Sequence, residues 1–183
     1  MSGWDNYDLN PGPNVKKINI LESFESYGLV KESVDFMFFC HAIEHFDEVD
    51  GLEILKKIKQ SMKPTGVVRI VCPSLNTYIK RFLGWDEPWN KTHKEKFRNA
   101  THFINYAFYG EHKAGMKFIK GKSSSNLGHR FIYSEEDLIE KLRLVGFTKI
   151  EKCAYGKSVH KELNGLDLVR RDFNDLCIEA SVG

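Results

Sequence analysis

Two apolar runs constrain this chain more than any other feature. Phe36-Met37-Phe38-Phe39-Cys40 and Val67-Val68-Arg69-Ile70-Val71 are strand-sized and almost free of polar alternation. Runs of that kind suit strands buried on both faces of a parallel sheet. Between them Val49, Leu52, Leu55, Ile58 and Met62 recur at helical spacing, with Lys56, Lys57 and Lys59 on the opposite side. Lys63-Pro64-Thr65-Gly66 then reads as the helix stop. Strand, amphipathic helix and strand in this order make a βαβ unit, whose strands run parallel.

The flanks extend the alternation. Trp4–Leu9 and Lys17–Leu21 read as short strands, the first running into the turn residues Asp8-Leu9-Asn10-Pro11-Gly12. Near the other end Ser134 is an N-cap candidate with Asp137 three residues on, and Gly146 is the C-terminal stop. Thr148–Tyr155 and Leu176–Ala180 read as the last strands. The pattern is one α/β domain over residues 1–183, consistent with 183 residues and 42% hydrophobic content. No apolar run reaches the ~18–20 residues of a spanning helix. The four cysteines are spread along apolar stretches with no CxxC pair, the usage expected of free thiols in a reducing, cytoplasmic compartment.

Charge is uneven. Between Thr77 and Arg130 stand eleven Lys and Arg against four Asp and Glu, a surplus of seven in a chain whose overall surplus is two. Ten aromatic residues interleave with them. Residues 77–130 therefore read as a basic, aromatic cap inserted into the sheet domain. Its lysines can form a solvated face, or hold an anionic partner. A glycan or small phosphorylated acceptor is favoured over single-stranded nucleic acid, which uses the same stacking and charge.

His41-Ala42-Ile43-Glu44-His45 is the densest chemical cluster. As HxxEH it matches an inverted zinc-protease motif, which needs both histidines on one helix face. Here the motif leaves directly from an apolar strand, so no metal site is assigned. The plainer reading places His41 and His45 on a cleft, with Glu44 capping the following helix. Imidazoles that titrate near neutrality are the natural general-base candidates: His45, His41 and, where the sheet domain resumes, His129.

Taken together, Gly3-Trp4-Asp5-Asn6-Tyr7-Asp8, Ser33-Val34-Asp35-Phe36, Cys40 to His45, Met62 to Val67 and Gly146-Phe147 resemble the class I S-adenosylmethionine-dependent methyltransferases. The resemblance implies a Rossmann-like, mainly parallel sheet and S-adenosylmethionine as cofactor. It assigns Asp8 to the cofactor ribose with Asn10 nearby, Glu22, after the next strand, to the adenine end, and Cys40 and His41 to the border of the methionine part. The implied reaction is methyl transfer to oxygen or nitrogen of a small acceptor. The family's first strand and glycine-rich loop have no counterpart, so by this comparison the sheet is N-terminally truncated. That leads to two expectations: Trp4–Asp8 pairs directly with Phe36–Cys40, or a second chain fills the place, making a homo-oligomer. It also leaves an alternative role, a non-catalytic binding protein that uses its basic cap.

Overall fold

The computed structural model describes residues 3–9, 11–87, 90–91, 99–109, 128–169 and 175–183. Its main sheet contains β3 (Val34–Cys40), β4 (Met62–Cys72), β5 (Lys149–Lys152) and β6 (Leu176–Ser181), in the order β3-β4-β6-β5. The βαβ reading holds: β3 and β4 are parallel, Phe36 opposite Val67 and Cys40 opposite Val71, joined through α1 (Glu48–Ser61). The sheet as a whole is mixed, not mainly parallel, because β6 lies antiparallel to both β4 and β5.

The expected pairing of the earliest strand with Phe36–Cys40 does not form. β1 (Tyr7–Asp8) pairs in parallel with β2 (Lys16–Lys17) in a separate two-stranded sheet. Local bonds satisfy it there: Lys16 N–H donates to Asn6 O at 2.7 Å, Ile18 N–H donates to Asp8 O at 3.0 Å, and Lys16 Nζ pairs with Asp5 at 2.8 Å. Among the described residues, β3 is left as an edge strand of the main sheet. The amino-terminal segment is fastened to α1 instead. The Lys57 ammonium donates to the carbonyls of Ile20, Leu21 and Glu22, and Phe24 is buried in the core.

Period-two alternation divides the sheet into two faces. Val68, Ile70 and Cys72 of β4 and Leu176, Ile178 and Ala180 of β6 meet Ile54, Leu55 and Ile58 of α1 and Leu138 and Leu142 of α4 (Glu135–Leu144). Burying such side chains stabilises by roughly 1.5–3 kcal/mol each. The buried stripe of α1 is turned from the expected one: Val49, in the first turn, is 73% exposed. Asp47 caps this helix, its Oδ1 accepting from Asp50 N–H at 3.0 Å, so Glu44 is not the cap. The chain passes from Ser61 straight into β4. A Cβ on Gly66 would lie 2.7 Å from Val34 O, so that close approach requires glycine. α4 follows its sequence signals: Ser134 Oγ accepts from Asp137 N–H at 3.2 Å. At its other end Gly146 N–H donates to Arg143 O and Phe147 N–H to Leu142 O, both at 3.0 Å, a Schellman closure.

The opposite face carries Arg69, fully buried in the middle of β4. Its Nε and Nη2 bind Asp167, Nη1 binds Glu179 Oε1 at 2.6 Å and Lys157 O at 3.0 Å, and Nη2 also donates to Ala154 O at 3.2 Å. All five guanidinium N–H groups are thereby used. The segment 154–169 is held over this face, with Leu163 fully buried. Within the cap region, α2 (Leu75–Phe82) and α3 (Ala100–Tyr109) pack through Tyr78 and Phe82 against Phe103. α2 begins two residues before the expected cap boundary.

Candidate active site

Open α/β sheets bind ligands beyond the carboxyl ends of their parallel strands. A cleft of about 170 Å³ lies there, past the ends of β3 and β4, lined by His41, Thr77, Tyr78, Arg81, His129 and Asp175 together with Pro73 and Ser74. β3 delivers His41: Cys40 ends the strand, and the His41 N–H still donates to Val71 O at 2.8 Å. The backbone then turns into the left-handed region, φ 48° at His41, conformational strain of the sort that collects at functional sites. β4 delivers Pro73 and Ser74, whose Oγ caps α2 by accepting from Thr77 N–H at 3.3 Å. Asp175 stands immediately before β6.

The turn after His41 is a short 3-10 helix, Ile43–His45. The HxxEH histidines therefore do not share an α-helical face. His41 Nε2 lies 2.7 Å from Asp175 Oδ2 and Nδ1 lies 3.3 Å from Glu44 Oε1. Burial alone pushes the His41 imidazole down; Asp175 and then Glu44 outweigh it and lift it from 6.5 to about 9. At neutral pH His41 is an imidazolium, its Nε2 hydrogen-bonded to Asp175 and its Nδ1 in an ion pair with Glu44.

His129 is its opposite. Its Nδ1 is 2.7 Å from Ala107 O, and a carbonyl can only accept, so Nδ1 carries the proton and Nε2 keeps its lone pair. Burial, the dominant cause, holds its pKa below 6.5. His45 sits against it, ring centroids 5.5 Å apart, with Nδ1 3.4 Å from Gly128 O. A neutral imidazole and a charged one thus line the same small cleft, the divergence that assigns different acid–base roles to like groups.

The sequence-predicted residues divide accordingly. His41 and His129 line the cleft and His45 adjoins it. Cys40 precedes His41 at the strand end and is half-buried. Asp8 is exposed on β1 and lines neither this cleft nor the other one described, of about 310 Å³, which lies between Pro64, Lys149 and Ser181 at the far end of the sheet. Glu22 is occupied in its own loop, accepting from Tyr27 Oη at 2.5 Å and Asn19 Nδ2 at 3.0 Å, and the Tyr27 bond lowers its pKa. Asn10 lies outside the described residues. Sequence reasoning missed Asp175, Thr77, Tyr78 and Arg81. Ser74 alone left a usable signal, a capping residue directly after a buried strand.

No family model matches this chain, and no curated protein matches it. Solved structures do resemble it. A SAM-dependent methyltransferase from Archaeoglobus fulgidus superposes with a TM-score of 0.50 at 18% identity, over 91% of this chain and 66% of that one. A SAM-dependent methyltransferase from Thermotoga maritima gives 0.47 at 18% identity, covering 92% and 64%. The CurJ carbon methyltransferase gives 0.48 at 12%, covering 92% and 35%. The chain therefore spans between about a third and two thirds of the length of these proteins. The likeness to the Archaeoglobus protein shows the fold alone: an α/β, Rossmann-like architecture. Among the described residues no helix is long and apolar enough to cross a membrane.

Proposed function

We propose that this chain acts in S-adenosylmethionine-dependent methyl transfer to an oxygen or nitrogen of a small acceptor seated in the cleft beyond β3 and β4. The observation that carries the reading is His129: a neutral imidazole in that cleft, its tautomer fixed by Ala107 O and its Nε2 without a hydrogen-bond partner among the described residues, so able to take the acceptor's proton. Proton removal and positioning are what such a displacement asks of the protein. When bound, the cofactor supplies an activated methyl group on a positively charged sulfur. The donor set supports its methionine end more than its ribose end. The buried carboxyl group of Asp175 lines the His41 side of the cleft, whereas Asp8, the ribose candidate, stands on the separate β1–β2 sheet.

The position of Asp8 favours a second reading, a methyltransferase-like protein that holds an anionic partner through its basic cap without turnover. In either case an acceptor of glycan or phosphorylated type is preferred to nucleic acid, four cysteines without a disulfide fit a cytoplasmic setting, and the edge position of β3 among the described residues favours homo-oligomers. Calorimetric titration with S-adenosylmethionine separates the two. Micromolar affinity supports the enzyme; no heat at millimolar cofactor removes it and leaves the binding protein.

A further inference from the structure

We propose that Glu44, which does not itself line the cleft, is its positioning residue: its carboxyl group orients the His41 ring opposite Asp175 and so reserves proton transfer for His129. This rests on the reading above for its purpose, though not for its geometry.

Glu44 is an unusual place for a carboxyl group. Its side chain is 1% exposed, and among the described residues neither oxygen accepts a well-aligned hydrogen bond. A buried polar group left so poorly satisfied calls for a specific reason. Its neighbours supply one. Oε1 lies 3.3 Å from His41 Nδ1 and 4.0 Å from His45 Nε2, making Glu44 the acid that touches both histidines of the motif. Its place is fixed from the other side of the cleft. The Glu44 carbonyl accepts from Arg130 N–H at 2.7 Å and Phe131 N–H at 3.3 Å, the two residues that follow His129. One residue therefore ties the turn carrying His41 to the loop carrying His129.

The consequence for chemistry is an assignment of roles. Asp175 accepts from Nε2 of His41 and Glu44 faces Nδ1 as an ion pair, and the imidazolium they hold has no lone pair with which to accept a proton. Among the described residues His129 Nε2 is left as the open acceptor. Without Glu44, His41 would hold its Nε2 bond to Asp175 and present a free Nδ1, giving two competing bases. The groups facing His41 are Asp175 just before β6, Glu44 and His45 from the turn, His129 from the loop ahead of α4, and Tyr78 and Arg81 of α2 across the cleft; the Cys72 thiol of β4 lies near Glu44 and Asp175. Burial raises that thiol well above its usual range, so it stays neutral.

The test is imidazole-detected NMR on the full chain, isotopically labelled, as wild type, Glu44→Gln and Asp175→Asn. At pH 8 the wild-type His41 should carry protons on both ring nitrogens while His129 carries one, on Nδ1. In Glu44→Gln, with the amide spectrum intact, His41 should lose one ring proton at pH 8, its midpoint falling by about one pH unit or more. Glu44→Asp should recover part of that shift. A merely structural carboxyl group would not move these signals. An unchanged His41 midpoint in Glu44→Gln overturns the proposal, as does a singly protonated wild-type His41 at pH 8. Should Glu44→Gln fail to fold, the wild-type spectrum and Glu44→Asp still decide. Absence of S-adenosylmethionine binding by the wild type would remove the methyl-transfer reading while leaving the His41 signature in place, so the two failures are distinguishable.

Discussion

Replacing Asp167 by Ala probes the most heavily charged part of the interior. Asp167 is 1% exposed; Oδ1 accepts from Arg69 Nε at 2.8 Å, and Oδ2 accepts from Arg69 Nη2 and from Gly156 N–H at 2.9 Å. The substitution leaves a fully buried guanidinium with Glu179 as its remaining carboxylate. Breaking a buried pair by removing one partner costs about 3–5 kcal/mol, because the other charge stays desolvated. Against a typical domain stability of about 5–15 kcal/mol that is a severe loss. Urea unfolding followed by far-UV circular dichroism should show a much lower midpoint at similar slope. Arg69→Met with Asp167→Ala should cost less than the two single changes added, by about 2 kcal/mol or more, since neither charge then remains to be unpaired. Burial alone would raise the Asp167 carboxyl, but the Arg69 hydrogen bonds outweigh it and hold its pKa below 3.8. Its contribution is therefore present above about pH 4 and lost as pH falls through the lower folded value, so the wild type and Asp167→Ala should converge in acid. A loss under about 1 kcal/mol for Asp167→Ala, or strictly additive costs in the cycle, would refute the reasoning.

Three further outcomes follow from the geometry. A Cβ on Gly51 would lie 2.4 Å from Tyr133 Oη, so Gly51→Ala should destabilise by about 1–3 kcal/mol in denaturant unfolding, and Tyr133→Phe should relieve much of it. Tyr133→Phe alone should be close to neutral, because the buried Tyr133 hydroxyl has no hydrogen-bond partner among the described residues. Gly146 adopts φ 100° in the Schellman closure of α4, and Gly146→Ala should cost about 1–2 kcal/mol, read as a lower Tm. Because the folded pKa of His41 is raised, its contribution is whole below about pH 6.5 and is lost as pH rises through about 9. The Tm should fall across that interval in the wild type, and the His41-dependent part of the fall should vanish in His41→Asn.

The local elements were legible because they rest on near-neighbour rules. The two apolar runs became β3 and β4, and Ser134 and Gly146 bounded α4 as capping chemistry requires. His41 and His129 could be named as cleft residues because a histidine after a buried strand, and another where the sheet domain resumes, both belong near the strand ends. What the residue pattern could not give was direction and partnership. Whether β6 runs with or against β4 depends on how the returning chain packs, and an apolar run reads the same both ways. The amino-terminal strands found each other instead of the main sheet because local backbone bonds and the Lys57 anchor satisfied them where they stand.

By itself the sequence determined the βαβ unit of β3, α1 and β4, the caps of α4, and that histidines follow the end of β3. Tertiary structure alone decided which histidine is charged. Asp175 reaches His41 from 134 residues away, and Ala107 of α3 reaches His129 in the loop ahead of α4. The charge on an imidazole is set by the carboxyl or carbonyl oxygen a few ångströms away, and that neighbour is chosen by the fold.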